Sequence, residues 1–161
     1  MTTAASSTAH DTTVTLAGDR EIVMSRTFAA PRELVWRAVT QPEHFARWWG
    51  PRGFTCVVTA MDVRPGGRWA ADQTAPDGGV YRFWGEYLEV APPERIVHTQ
   101  HFLDFPPLHV TITLNERDGA TLLTSVTRAD SAQGRDALLA SGMEGGARQS
   151  YDRLAELLET M

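Results

Sequence analysis

His98 and Glu86 are the side chains here whose types best suit chemistry, an imidazole and a carboxylate on either side of Pro92-Pro93. A hairpin closed at those prolines sets His98 opposite Tyr87 or Leu88, and one residue of register separates the two. Opposite Leu88, His98 shares a face with Glu86, Gln100 and Trp84. If that face lines an enclosed space, it offers an acid–base pair beside an aromatic wall, with Glu86 and His98 as the catalytic candidates. If it faces water, the same four residues are ordinary cross-strand or solvated side chains.

Other reactive types point away from metal, nucleophile and nucleotide chemistry. His98 and His101 are three apart, so on a strand they point to opposite faces and cannot share one ion without a bulge. His109 falls with Thr111 and Thr113 on a polar face, and there is no H-E-x-x-H helix, so no metal site is expected. Cys56, the single cysteine, lies in the strand-like run Phe54-Thr55-Cys56-Val57-Val58 and reads as a small buried thiol. No G-x-S-x-G elbow and no phosphate-binding glycine fingerprint occurs; Pro65-Gly66-Gly67 is a hairpin turn without a following helix. No cofactor is expected. Arg64, Arg68 and Arg82 could meet an acidic group, although strand arginines on a convex face are mostly solvated.

Five tryptophans (Trp36, Trp48, Trp49, Trp69 and Trp84) are many for 161 residues. Large aromatics usually pack a core. Trp48 and Trp49 share one face of a short helix with Phe45, and an indole there can cover a flat apolar ligand while its N–H finds a polar partner.

The elements that must position these residues are legible from periodicity. Arg20–Phe28 is a first strand. Pro31 opens a helix whose apolar face is Leu34, Val35, Ala38 and Val39, and Pro42 stops it and opens a second. Six strands then follow in sequence order between residues 54 and about 127, punctuated by Arg64–Arg68, Pro76–Gly79, Ala91–Glu94 and Asp118-Gly119. No helix intervenes, which implies an antiparallel meander. Gly134–Met161 reads as one closing helix, about 40 Å long if fully helical. Its stripe carries Leu139, Met143, Gly146, Ser150, Leu154, Leu157 and Met161, with Arg148 and Asp152 as an i,i+4 pair on the other side. Gly146 and Ser150 are its smallest members and sit in its middle. Either the helix crosses the sheet closely or breaks there, or the absent side chains leave an open space between helix and sheet.

Composition bounds the partners. The chain has a net charge of -5, and its 15 basic residues are all arginine, so phosphate neutralisation brings little and no nucleic acid is expected. No apolar run approaches the ~20 residues of a membrane span. Residues 1–19 draw 12 of 19 residues from Thr, Ala and Ser, and read as a disordered tail ahead of one domain over 20–161. That segment has neither the basic start and apolar stretch of a secretory signal nor any arginine, so a cytoplasmic location is expected.

Several motifs together resemble the SRPBCC (START-like, Bet v 1-like) superfamily and, within it, the branch named for the activator of Hsp90 ATPase homologue 1. They are Ala30-Pro31-Arg32-Glu33-Leu34-Val35-Trp36-Arg37-Ala38, Trp48-Trp49-Gly50-Pro51, Gly53-Phe54, Arg64-Pro65-Gly66-Gly67-Arg68-Trp69, Gly85-Glu86-Tyr87-Leu88-Glu89-Val90, Pro93-Glu94-Arg95-Ile96 and the helix from Met143 through Gly146. The resemblance spans about 20–160. It implies an α+β helix-grip fold: an antiparallel sheet around a long C-terminal helix, two short helices after the first strand, and a deep apolar cavity. The occupant it implies is a small lipophilic or aromatic molecule, held by Trp48, Trp49, Trp69, Trp84, His98, Met143, Gly146 and Ser150. Two alternatives accompany it. One is a cofactor-independent cyclase, hydratase or lyase using Glu86 and His98. The other is a co-chaperone-like or regulatory contact with a chaperone, for which 19 preceding residues leave no room for a second domain. Aromatics exposed at the rim could also support a homodimer.

Overall fold

The computed structural model describes residues 11–161. Among them run β1 (Thr13–Ala17), β2 (Glu21–Phe28), α1 (Arg32–Thr40), α2 (Pro42–Trp48), β3 (Thr55–Met61), β4 (Arg68–Thr74), β5 (Val80–Ala91), β6 (Arg95–Phe102), β7 (Leu108–Arg117), β8 (Ala120–Arg128), α3 (Ala132–Ala140) and α4 (Met143–Leu158). The strands form one antiparallel sheet in the order β1-β2-β8-β7-β6-β5-β4-β3. From β3 to β8 this is the meander the turn spacing implies.

β2 pairs with β8, Glu21 opposite Arg128 through Phe28 opposite Thr121, whereas β3 is the far edge. The chain between β2 and β3 must therefore cross the concave side of the sheet, and α1 and α2 make that crossing. Val35, Ala38 and Val39 of α1 and Phe45 and Trp48 of α2 are buried by it. α4 buries Ser150, Tyr151, Leu154, Leu157 and Leu158, with Tyr151 edge-on to Phe28 at 6.2 Å between ring centroids. Phe28, Ile22, Ile96, Leu123 and Leu154 are the largest fully buried side chains, and they join sheet to helix in one core. The architecture is an α+β helix-grip fold. No helix among the described residues is long and apolar enough to cross a membrane.

Three sequence expectations are corrected. The tail expected through Asp19 is ordered from Thr13, because Thr13–Ala17 pairs along β2 and Arg148 Nη1 donates to the Thr12 carbonyl at 2.5 Å. Small-residue composition hides the β-prone alternation of Thr13, Val14, Thr15 and Leu16, and the pairing covers an edge β2 would otherwise expose. Residues 1–10 of that expected tail lie outside the described residues. The single closing helix is two: Gly142 adopts φ +83°, a left-handed conformation that ends α3 and turns the chain into α4. Finally, Arg148 pairs with Glu144 at 3.0 Å, and Asp152 instead meets Arg26 of β2. The expected pair satisfied helical spacing, but Arg148 is taken by Glu144 one turn back on α4 and by the Thr12 carbonyl just ahead of β1, and Asp152 by Arg26 of β2.

Candidate functional site

Between the concave face of the sheet and α4 lies a cavity of about 320 Å³. Each strand lends it alternate residues, since inward positions recur every second residue. β4 contributes Trp69 and Gln73, β5 Phe83 and Tyr87, and β6 Ile96, His98 and Gln100. α4 supplies Met143, Gly146, Ala147 and Ser150, and the end of α2 supplies Trp48 and Trp49.

Seven of the eight sequence-selected ligand contacts thus reach the wall: Trp48, Trp49, Trp69, His98, Met143, Gly146 and Ser150. Trp84 does not. The register places Tyr87 opposite His98 and Trp84 opposite His101, so Trp84 projects from the outer face, stacks on His101 at 5.5 Å and is 41% exposed. Glu86 lies on that outer face too, opposite Arg68. The Glu86–His98 pair is therefore a correction, because the two side chains point to opposite sides of the sheet. Tyr87, which sequence reasoning did not select, takes the place beside His98, with ring centroids 6.2 Å apart. A bulge between Tyr87 and Glu89 lets the hairpin close at Pro92-Pro93 while retaining this register.

The aromatic wall is a chain of contacts. Trp49 stacks on Phe45 (5.2 Å) and meets Trp69 and Phe83 edge-on at 5.7 and 4.8 Å, and Phe83 stacks on Phe102 at 4.5 Å. Trp48 is 4% exposed and its indole N–H donates to the Ala38 carbonyl at 2.8 Å, so it packs α2 on α1 and has no donor left for an occupant.

α4 holds the α2–β3 loop against this wall. Ser150 Oγ accepts from the Gly50 amide, and Gln149 Oε1 from the Arg52 amide, each at 2.9 Å. Arg153 donates through Nη1 to the Gly50 and Pro51 carbonyls (2.9 and 3.2 Å) and through Nη2 to that of Arg47 (3.0 Å). We expect Arg153→Met to cost about 2 kcal/mol in urea unfolding, the scale of charge-assisted hydrogen bonds left unmade. Amide exchange at Gly50 and Arg52 should rise with it; unchanged exchange would show that Ser150 and Gln149 hold the loop unaided.

His98 is the only imidazole among the described residues that line the cavity. Its Nδ1 lies 2.9 Å from the Thr99 carbonyl oxygen. A carbonyl only accepts, so Nδ1 carries the proton and Nε2 presents a lone pair. Burial pushes the imidazole down to about 4, an effect only partly offset by that hydrogen bond. The unfolded value is near 6.5, so between these limits the unfolded chain binds one more proton than the native one. Stability should rise with pH across that window, and fall on acidification, by up to ~1.4 kcal/mol per pH unit. His98→Leu should flatten the slope in urea melts between about pH 4.5 and 6.5. A persisting slope would assign the proton to another group.

Tyr87 is 4% exposed, and burial, followed by the Asp62 carboxylate, holds its phenol far above the ordinary range. Tyr151, hydrogen-bonded to Ser125, is pushed up to about 12 by burial. Cys56 is buried, with its thiol pushed up to about 11 by desolvation, which suits packing and not nucleophilic attack. Arg82 is engaged by Asp72 and Arg64 by Asp62, and neither lines the cavity.

Residues 29–159 match the family described as Activator of Hsp90 ATPase homolog 1-like protein. No curated protein is a detectable relative by sequence. Among solved structures, protein Ms6760 from Mycobacterium smegmatis is 29% identical, with a TM-score of 0.84 over 91% of this chain and 96% of that one. Protein CV1439 from Chromobacterium violaceum is 34% identical, with a TM-score of 0.79 over 88% and 99%. DynU16, a protein of the dynemicin biosynthetic locus, is 27% identical with a TM-score of 0.68; 89% of this chain aligns with 48% of that longer one.

Proposed function

This chain belongs to the activator of Hsp90 ATPase homolog 1-like family, within the SRPBCC superfamily, and from that premise we propose that it binds a small, largely apolar molecule between its sheet and α4. The observation that carries the reading is the cavity itself. At about 320 Å³ it falls at the lower end of the ~300–1,000 Å³ range of ligand pockets. Aromatic and aliphatic side chains form most of its wall, with a few polar groups among them. Membership supports the reading, and so does the similarity to DynU16, whose biosynthetic locus is a setting of small-molecule chemistry.

An enzymatic role is the less supported reading. Glu86 is on the wrong face, and the cavity pair that remains, Tyr87 and His98, has an acid held far above its ordinary range and a base near 4. General acid–base catalysis is most efficient when the pKa lies near the working pH, and both groups are displaced from it in the unhelpful direction. They suit hydrogen bonding to an occupant better than proton transfer.

The test is native mass spectrometry of protein isolated from its own host, followed by denaturation and identification of any released molecule. A stoichiometric apolar passenger supports the binding role and names its chemical class. Protein that is empty and also takes up no aromatic probe would overturn it.

A further inference from the structure

Resting on the ligand-binding reading above, we infer that the cavity selects an uncharged molecule whose ring system carries a hydroxyl or N–H, with that group donating to Nε2 of His98. Three independent features of the wall lead there. First, no Asp, Glu, Arg or Lys is among the described residues that line the cavity. Arg153, on the same helix as Ala147 and Ser150, donates to the carbonyls of Arg47, Gly50 and Pro51, and the Arg26 guanidinium pairs with Asp152. A carboxylate or ammonium entering the cavity would lose its hydration with no opposite charge to replace it.

Second, the Thr99 carbonyl fixes which nitrogen of His98 is protonated, so the ring offers an acceptor and no donor at Nε2. An occupant bearing only acceptors, such as an ether or ester, would put lone pair against lone pair. Third, the other polar groups of the wall on the sheet beside His98 are neutral: the Tyr87 hydroxyl and the side-chain amides of Gln73 and Gln100. Gln73 is 7% exposed and Tyr87 4%. Hydroxyls and amides can pair with polar atoms of an occupant, but they carry no charge to compensate an ion. The Tyr87 O–H is a donor across the strand pair from the His98 acceptor, and together they match the two-way character of a hydroxyl.

Three probes of one size and shape separate the possibilities: 2-naphthol, 2-methoxynaphthalene and 2-naphthoic acid, at neutral pH. Binding is followed in the full chain by NMR, on the indole N–H of Trp49 and Trp69 and on the Nε2 resonance of His98. We expect 2-naphthol to bind roughly 10-fold more tightly than the methyl ether, the scale of one hydrogen bond lost with its partner left unpaired. The naphthoate should be weaker still, by about 100-fold or more relative to naphthol, since its charge is uncompensated. The Nε2 signal should shift with naphthol alone, and His98→Leu should bring naphthol down to the ether's affinity. If the ether or the naphthoate binds in the cavity as well as naphthol does, the selectivity is overturned while the binding role stands. If none of the three perturbs the indole signals, both fall together. The wild-type series decides the matter even if the leucine variant does not fold.

Discussion

Replacing Gly85 with alanine is expected to destabilise the protein by roughly 3–5 kcal/mol, adding overpacking to lost buried hydrogen bonds. A Cβ there would stand 2.0 Å from the Thr99 carbonyl oxygen and 2.6 Å from Nε1 of Trp69. The position is crowded because Thr99 turns its carbonyl inward, where it accepts from the Trp69 indole at 3.1 Å and from His98 Nδ1 at 2.9 Å. The Glu86 amide is met instead by the Thr99 hydroxyl at 3.0 Å. Gly85 is therefore the gap through which one carbonyl fixes both a wall indole and the orientation of the imidazole. Most domains have only ~5–15 kcal/mol of stability, so the variant should be close to unfolding at ambient temperature. Urea denaturation measures it, and the His98 ring resonances of whatever folded fraction remains should move. A loss below about 1 kcal/mol would mean that the β6 backbone yields easily, and that Thr99 is not the anchor described here.

The second large effect is on binding. Ala147→Trp should reduce uptake of 2-naphthol by about 100-fold or more, which corresponds to ~2.7 kcal/mol. Ala147 lines the cavity from α4, and an indole at that position takes the space the ligand would occupy. Gly146 is a poorer choice, since a Cβ there already meets Pro51 Cγ at 3.3 Å and a large side chain would push on the α2–β3 loop. Gln100→Trp fills the same space from the facing sheet and serves if the helix variant unfolds. Thermal melts check the fold, and NMR titration checks the affinity. Two folded variants that both bind as tightly as the parent would place the ligand outside this cavity.

The order of elements was legible because each rests on local chemistry. Pro31 and Pro42 mark helix starts, Pro76–Gly79 and Asp118-Gly119 mark turns, and alternation along Val110, Ile112 and Leu114 marks a half-buried strand. β1 was missed because five residues of alternation were submerged in a Thr/Ala/Ser-rich segment, and because its stability comes from β2, which composition does not see. The break at Gly142 was legible only as an unfavourable residue. A glycine lowers helix propensity by ~1 kcal/mol wherever it lies, but whether the chain bends there depends on what α3 and α4 pack against.

The candidate site shows the same division. Residue types and spacing were enough to single out His98 and the small-residue stripe of α4, because each is a statement about neighbours within one element, and the family resemblance added the paired tryptophans at the end of α2. Which face of β5 meets the cavity was beyond them. A shift of one residue exchanges Glu86 for Tyr87, and a single bulge at Leu88 settles the choice. That bulge, the inward Thr99 carbonyl and the lack of charge around His98 arise from strands far apart in sequence. The sequence by itself determined the elements, their order and the residues capable of lining a pocket. Only the tertiary structure decided that the imidazole faces a tyrosine and not a carboxylate, because register, burial and tautomer are set by contacts across strands and not along them.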